Sequence, residues 1–453
     1  MKTFDLASNK ENIIETYLKD SIQRNYYLHR FIQILDSIDD GFSIALGGNW
    51  GSGKTFFVKQ AKMILDSHNP FIETFSKEEK EQIQFTWSNY NRNKTYSLKN
   101  QVCVYYDAWK YDNDDDPILS LIYEIARELG TNYNFTEESS TAKVVVSLLE
   151  LLSGRNIKDF YNTLKSQKDL MEGIENERKI SEQINDFFDS VLEERGDRLI
   201  IFIDELDRCK PSYAVNLLEK IKHYFSNERI TFVFSINTVE LINTIQKYYG
   251  QSFDSGRYLD RFFDLRLDLP QIDNKKYLES KGFTTQYKQD SVALAVINHF
   301  GLEMREITRY LKLLRISVYK PGHEYGNLGD TEALCIYYFI PVLLGLKLYD
   351  TKKYFELING KDYSPLTAIL SQFKNHKSFL NLLTKSETYE KSGEQMTVVK
   401  FDDKIKEAYN CIFNTIYDSS NNYKNVGETT FTIEDKKMIE ETINLFSSYA
   451  DIS

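Results

Sequence analysis

Apolar residues in this chain follow two patterns, short unbroken runs and a helical repeat. Runs bounded by turn residues predict five strands, at 42–46, 102–106, 199–204, 231–237 and 262–269. The run 199–204, LIIFID, is almost wholly apolar, which is typical of a central parallel strand buried on both faces. Apolar residues at helical spacing separate most of these runs. The pattern therefore predicts an α/β fold with a five-stranded, mainly parallel sheet.

The same pattern suggests how the chain is organised. We expect an N-terminal helical segment at 1–40, a core at 41–110 and 197–270, a helical insertion at 111–196, a helical lid at 271–360 and a C-terminal helical region at 361–453. Residues 71–100 are polar and have no clear period, which predicts an irregular stretch within the core.

The longest apolar run is 333–346, ALCIYYFIPVLLGL, within the predicted lid. It is shorter than the roughly 20 residues that a spanning helix needs, and Pro341 interrupts it. A buried helix is therefore predicted in preference to a membrane segment.

The turn after the first strand carries the most specific chemical signal. Gly48, Gly53, Lys54 and Thr55 match the spacing G-x-x-x-x-G-K-[ST]. In such a loop, backbone N–H groups and the helix N-terminus surround a phosphate chain, the lysine reaches the β- and γ-phosphates, and the hydroxyl binds Mg²⁺. A tight bend without a ligand is the alternative. The predicted nucleotide-binding residues are Gly48, Asn49, Trp50, Gly51, Ser52, Gly53, Lys54, Thr55 and Phe56.

Asp204 and Glu205 follow the third strand, at the end of the sheet where ligands bind in open α/β folds. Asp204 is a predicted Mg²⁺ ligand, and Glu205 is the predicted base that polarises water for attack on the γ-phosphate. The alternative is an acidic strand end that only caps the next helix. A glutamate here, with an additional strand between the two motifs, expected at 102–106, indicates hydrolysis. The sequence lacks an N-K-x-D guanine motif, so ATP is the expected nucleotide.

Other polar residues are weaker candidates for the same site. Asn237, at the end of the fourth strand, could orient the attacking water or simply begin a turn. Arg257 and Arg261 precede the fifth strand, where ring ATPases offer an arginine to a neighbour's γ-phosphate, although surface ion pairing is an equal alternative. Arg305, near the start of a helix in the predicted lid, could contact the phosphates.

An acidic run precedes the helix that follows the second strand. Asp116 and Pro117 suit the cap and the first position of a helix, and negative charge is favoured there, so a helix start is predicted in preference to a metal site. The six histidines have no ligand spacing, and no metal beyond Mg²⁺ is expected.

Composition indicates which partners and which cellular compartment are expected. The net charge of −11 disfavours broad binding to nucleic acid, which depends on Lys and Arg neutralising phosphates. Four widely spaced cysteines and an N-terminus without an apolar signal region indicate a reducing, cytoplasmic setting.

Together these motifs resemble those of the KAP family of P-loop NTPases, a branch of the STAND/AAA-like ATPases. The matching strings are GNWGSGKT at 48–55, DAW at 107–109, DELDRCKP at 204–211 and, more weakly, REITRY at 305–310. The resemblance implies a five-stranded core with a helical insertion and a C-terminal helical lid. Many members place membrane helices in the insertion, whereas the apolar patch 144–152 is too short to span a bilayer.

Two functions fit these observations. The first is a Mg²⁺-dependent ATPase that drives conformational change or assembly, as a homo-oligomer or with a partner protein; analogy to the family adds a role in anti-phage defence. The second is a nucleotide-gated scaffold or sensor that turns ATP over slowly and signals through its C-terminal helices. A DNA-translocating ATPase is disfavoured by the acidity of the chain.

Overall fold

The computed structural model describes residues 7–90, 97–114, 116–132, 184–193, 195–225, 227–318, 328–373, 376–383, 394–417 and 422–446. Two compact units are present, an N-terminal unit from Ala7 to Gln271 and a C-terminal unit that contains the residues from Ile272 onward. The apolar patch 144–152 lies outside the described residues.

The N-terminal unit is a parallel sheet with helices packed against it. Its strands are β1 Phe42–Gly47, β2 Gln101–Asp107, β3 Arg198–Asp204, β4 Ile230–Ile236 and β5 Leu265–Asp268. Its helices are α1 Lys10–Leu18, α2 Asn25–Ser37, α3 Lys54–His68, α4 Lys77–Tyr90, α5 Pro117–Asn132, α6 at 184–193, α7 Pro211–Tyr224, α8 Thr238–Tyr249 and α9 Ser255–Leu259. Single 3₁₀ turns lie at Ala108–Tyr111 and Leu206–Arg208.

The strands are ordered β2-β3-β4-β1-β5, and this order positions the candidate site. β4 lies between β1 and β3, so the carboxyl ends of those two strands are roughly 10 Å apart, two strand spacings. The strand expected between the two motifs, β2, lies instead at the outer edge of the sheet, and β4 is the strand that separates β1 from β3. β3 and β4 are buried along their whole length, as the unbroken apolar runs predict.

The predicted five-stranded α/β fold is confirmed, with two local differences. β5 spans only Leu265–Asp268, shorter than the predicted 262–269. The prediction of an irregular stretch at 71–100 is wrong, because Lys77–Tyr90 forms α4. Ile83 and Trp87, one turn apart, are the buried residues of this helix, and two apolar contacts give too weak a repeat to be recognised in a polar sequence.

Helix α4 encloses His29 of α2 in an aromatic cluster. The His29 ring centre lies 4.5 Å from that of Trp87 and 4.7 Å from that of Tyr90. Its Nε2 is 2.8 Å from the Tyr17 hydroxyl, and the histidine is only 4% exposed. Burial lowers the pKa of His29 from 6.5 to about 4, and His68 contributes in the same direction.

Acid is therefore expected to destabilise the N-terminal unit through His29. Between pH 6.5 and 4 the unfolded state binds a proton that the folded state excludes, so the free energy of unfolding falls as the pH falls, by at most roughly 3 kcal/mol. Denaturant unfolding of His29→Phe across this range should show a shallower pH dependence than the wild type. His223→Gln, at an exposed histidine, should keep the wild-type slope. Parallel curves for wild type and His29→Phe would contradict the assignment.

The C-terminal unit is mainly helical. Its helices are α10 Asn274–Ser280, α11 Lys288–Phe300, α12 Met304–Val318, α13 Asp330–Tyr349, α14 Thr351–Ile358, α15 Ser364–Leu370, α16 His376–Leu383, α17 Glu394–Tyr409 and α18 Ile433–Asn444. A two-stranded antiparallel hairpin, β6 Tyr423–Val426 and β7 Thr429–Thr432, precedes the last helix.

Helix α13 contains the long apolar run and continues through Pro341. A π turn at Cys335–Phe339 shifts the hydrogen bonding, so that the Ile340 N–H donates to the Cys335 carbonyl just before the proline, which has no N–H to donate. Pro341 therefore does not interrupt the helix, contrary to the expectation. Among the described residues, α13 alone is long and apolar enough to cross a bilayer, and 78% of its apolar window is buried inside the protein, as a core helix is.

Candidate functional site

The loop between β1 and α3 has the backbone shape of a phosphate-binding loop. Gly51 and Gly53 have φ angles of +83° and +93°, which L side chains rarely adopt. A Cβ on Gly48 would lie 2.9 Å from the Ser52 hydroxyl and 3.3 Å from Lys54 Cγ, so a side chain at this position would displace those two side chains. Gly53 precedes the first residue of α3, and the helix N-terminus therefore opens directly from the loop.

Lys54 lies folded over this loop. Its Nζ donates to the carbonyl oxygens of Gly48 at 2.8 Å and Asn49 at 3.1 Å. Burial lowers the pKa of Lys54, while Asp207, Asp204 and Glu205 oppose that shift. The three carboxylates favour the charged ammonium, but burial outweighs them, so the pKa of Lys54 is lowered overall. A bound phosphate chain would add anionic partners at the same place.

A residue of the N-terminal segment contacts the backbone of the loop. The buried guanidinium of Arg24, just before α2, donates to the Ser52 carbonyl at 2.8 Å. Sequence reasoning missed this residue because it lies between two helices, with no motif around it. The role of a buried arginine is evident only from its contacts in the folded structure.

Asp204 ends β3 with its carboxylate buried and fixed. Oδ2 accepts from the Tyr105 hydroxyl at 2.9 Å, and Oδ1 accepts from the Glu205 N–H at 3.0 Å. Tyr105 lies on β2, two residues before Asp107, which is opposite Asp204 in the sheet register. Sequence reasoning also missed Tyr105, because only the pairing of β2 with β3 brings its hydroxyl to Asp204.

Glu205 follows Asp204 in a strained conformation. Its φ is +60°, one of three positive values at non-glycine positions among the described residues. Such backbone strain is frequent at functional sites. Burial raises the pKa of Glu205 to about 7, with Asp204 adding to the rise and Arg208 opposing it. The Glu205 carboxylate forms an ion pair with Arg208 Nε.

Trp50 joins the phosphate loop directly to the segment after β3. Its indole Nε1 donates to Asp207 Oδ2 at 2.6 Å. The Arg208 guanidinium lies 6.0 Å from the centre of the Trp50 ring and 5.3 Å from that of Trp109, which follows β2. Three strings that are separate in the sequence therefore form one continuous cluster.

These residues fit a magnesium nucleotide by their chemistry. Thr55 is in the first turn of α3, and Asp204 supplies a buried carboxylate on the nearby strand end, so hydroxyl and carboxylate oxygens suited to Mg²⁺ are both present. Ser52 Oγ and Asp207 Oδ1 are buried without a hydrogen-bond partner among the described residues, as expected of polar atoms that meet a polar ligand.

The fourth strand also reaches the site. The Gly48 N–H donates to the Ile236 carbonyl at 3.2 Å, which places the end of β4 against the start of the loop. Asn237 comes next, and its Oδ1 accepts from the Glu240 N–H at 3.4 Å as the cap of α8. Ser235 is fully buried opposite Asp204 in the register. The structure thus gives Asn237 a capping contact close to the loop.

Two of the candidate arginines, Arg257 and Arg261, lie in the N-terminal unit, and Arg305 lies in the C-terminal unit. Arg257 is 88% exposed on α9 and lies 3.9 Å from Asp254. Arg261 lines a cavity of about 420 Å³ with Asp40 and Phe42, at the amino-terminal edge of the sheet and so at the opposite edge from Lys54. Arg305 is exposed on α12 of the C-terminal unit.

The acidic run before α5 makes contacts typical of a helix start. Asp116 Oδ1 accepts from the Ile118 N–H at 2.9 Å, and Asp116 Oδ2 pairs with Lys220 at 2.6 Å. Asp114 Oδ2 accepts from the Ser120 hydroxyl at 2.6 Å. Asp116 and Pro117 therefore have the predicted places at the start of α5.

Comparisons with known proteins bear on this site. The KAP family P-loop domain matches residues 24–320, more than half of the chain. An uncharacterized protein of Methanocaldococcus jannaschii is 30% identical over 164 residues, which cover 28% of this chain and 84% of that protein.

Two solved structures align with most of the chain at low identity and low TM-score. The ORC2 protein of Aeropyrum pernix, in ADPNP–ADP complexes, has 10% identity and a TM-score of 0.31, over 98% of this chain and 97% of that one. Drosophila ORC bound to GC-rich DNA and Cdc6 has 11% identity and a TM-score of 0.34, over 96% of this chain and 61% of that one. The family match agrees with the loop, the strand ends and the Trp50 contact, and the chain belongs to the KAP family of P-loop NTPases.

Proposed function

We propose that this protein is a Mg²⁺-dependent ATPase that hydrolyses ATP to drive conformational change or assembly. The observation that carries the proposal is the junction of its two motifs. Lys54 lies on one side of that junction, Asp204 and Glu205 lie on the other, and the 2.6 Å bond from Trp50 to Asp207 connects them.

Each residue has a role that its position allows. The loop amides and Lys54 would bind the phosphates, and Thr55 and Asp204 would hold Mg²⁺, which would neutralise phosphate charge. Tyr105 keeps the Asp204 carboxylate in place through its hydroxyl. Glu205 accepts a proton from the attacking water, a step favoured by a pKa near the working pH.

Phosphate release from ATP, measured with Mg²⁺ and with a chelator, tests the proposal. We expect turnover with Mg²⁺, little with the chelator, and nucleotide binding weakened at least about tenfold in Lys54→Ala, because charge-assisted hydrogen bonds to phosphate are lost. Lys99→Ala is a matched control, since that lysine pairs with Asp39 near the amino-terminal edge of the sheet. Failure of the wild type to bind ATP would overturn the proposal.

A second function is favoured by one contact. Glu205 is ion-paired with Arg208, and a paired base is less available to water. This arrangement suits a nucleotide-gated scaffold or sensor that hydrolyses ATP slowly. Turnover at or below about 10⁻³ per second, the level of an intrinsic switch, with tight ATP binding would support the scaffold in place of the ATPase.

The proposal also includes the oligomeric state, the partner and the cellular compartment. An ATPase of this kind works as a homo-oligomer or on a partner protein, with Arg257 or Arg261 reaching the γ-phosphate of a neighbouring subunit and Arg305 reaching over the phosphates as a lid residue. Sizing the protein with and without a non-hydrolysable ATP analogue tests assembly. A cytoplasmic setting and a role in anti-phage defence rest on cysteine usage and on family analogy.

A further inference from the structure

Arg208 lies beside the phosphate loop and pairs with Glu205, but no step of the proposed hydrolysis uses its guanidinium. It lies in the turn after β3 and joins three segments, through its ion pair with Glu205 and its contacts with the rings of Trp50 and Trp109. Trp50 belongs to the phosphate loop itself, and its bond to Asp207 holds that loop against the residue next to Arg208. A guanidinium therefore lies at the edge of the phosphate loop.

The contacts of Arg208 allow its guanidinium to exchange one ion-pair partner for another. The two indole rings attract the cation through their faces and take none of its N–H donors. Its described hydrogen-bonding partner is the Glu205 carboxylate. A guanidinium presents a planar set of donors that matches carboxylate and phosphate equally well. Phosphate in the loop would compete with Glu205 for these donors.

The competition depends on which phosphates are present. In a phosphate loop the α- and β-phosphates lie on the backbone N–H groups, whereas the terminal phosphate extends toward the metal ligand and the general base. Here those residues are Asp204 and Glu205, and Arg208 is already paired with Glu205. A triphosphate would therefore present an anion to Arg208 that a diphosphate lacks.

We propose that Arg208 senses the γ-phosphate within its own chain, exchanging the Glu205 carboxylate for the terminal phosphate when ATP is bound. The exchange frees Glu205 to accept a proton from water, so that the general base becomes available only with ATP in the loop. With ADP, Arg208 keeps Glu205 paired. The inference rests on the proposed nucleotide function and adds the means by which the site distinguishes ATP from ADP.

Affinities of a non-hydrolysable ATP analogue and of ADP, measured with Mg²⁺ by calorimetry, test this exchange. Arg208→Met keeps an unbranched side chain between the indoles and removes the donors. We expect it to weaken analogue binding about tenfold or more, from loss of a charged hydrogen bond, and to change ADP binding by less than about twofold. Arg30→Met, at an exposed arginine of α2, should change neither affinity.

Equal losses for both nucleotides, or no loss, would overturn the inference. If Arg208→Met does not fold by thermal melting, Arg208→Lys keeps the charge but lacks the planar fork, and it should still lose analogue affinity selectively. Wild-type protein that binds neither nucleotide would overturn the proposed function as well. Wild-type protein that binds both, with an unchanged ratio in the Arg208 variants, would overturn this inference alone.

Discussion

Replacing Glu205 by glutamine is expected to lower ATP turnover by about 10² to 10⁴, the usual contribution of a general base, while nucleotide binding is retained. Glutamine has the shape of glutamate and faces the same strain at a φ of +60°, so the backbone of the turn should not change. What is lost is the ability to accept a proton from water. Burial, which raises the pKa of Glu205 to about 7, makes the native carboxylate suited to that step.

Phosphate release and nucleotide affinity should be measured on the same preparations. Glu228→Gln is the matched control, because this exposed glutamate precedes β4 and so lies at the amino-terminal edge of the sheet. It should keep wild-type turnover. Unchanged hydrolysis by Glu205→Gln with intact binding would contradict the assigned role, and lost binding would assign Glu205 to holding the nucleotide.

Replacing Lys62 by methionine should destabilise the N-terminal unit by roughly 3–5 kcal/mol, the cost of leaving a buried charge unpaired. Lys62 is 13% exposed on α3, and its Nζ lies 2.7 Å from Asp66 Oδ2 and 2.9 Å from Glu128 Oε1. Burial opposes the lysine charge, but the two carboxylates together raise its pKa well above the ordinary value. Without the ammonium, both carboxylates would lose their counter-charge.

The free energy of unfolding, from denaturant titration at neutral pH, checks this cost. Lys77→Met is the control, since Lys77 is 92% exposed and lies 4.0 Å from Glu81, a surface pair worth at most about 1 kcal/mol. Adding Asp66→Leu and Glu128→Gln to Lys62→Met should recover part of the loss, because fewer unpaired charges remain buried. A cost for Lys62→Met no larger than that for Lys77→Met would contradict the burial argument.

Lys62 also shows how the fold supports the site. It lies on the helix that begins with Lys54, and its partner Glu128 belongs to α5 and accepts from the Tyr105 N–H at 2.7 Å. The same tyrosine donates its hydroxyl to Asp204. The phosphate-loop helix and the strand that orients Asp204 are therefore connected through one buried ion-pair cluster.

The sequence by itself determined the parts of this protein that depend on neighbouring residues. A phosphate loop is formed by consecutive backbone groups of one turn, so its glycines, Lys54 and Thr55 are recognisable from spacing alone. The buried strands were predictable because a strand covered on both faces requires an unbroken apolar run. The same logic failed for α4, whose two buried residues leave almost no pattern.

Only the tertiary structure decided which distant residues meet. Trp50 and Asp207 are 157 positions apart, and Arg24 and Ser52 are 28 apart. Their contacts depend on the order of the strands, with β4 between β1 and β3, and on the packing of the N-terminal segment behind the loop. No local sequence pattern predicts such contacts, because the two partners are far apart in the sequence. The ion pair of Glu205 with Arg208 is local in sequence, yet its placement between Trp50 and Trp109 required the folded sheet.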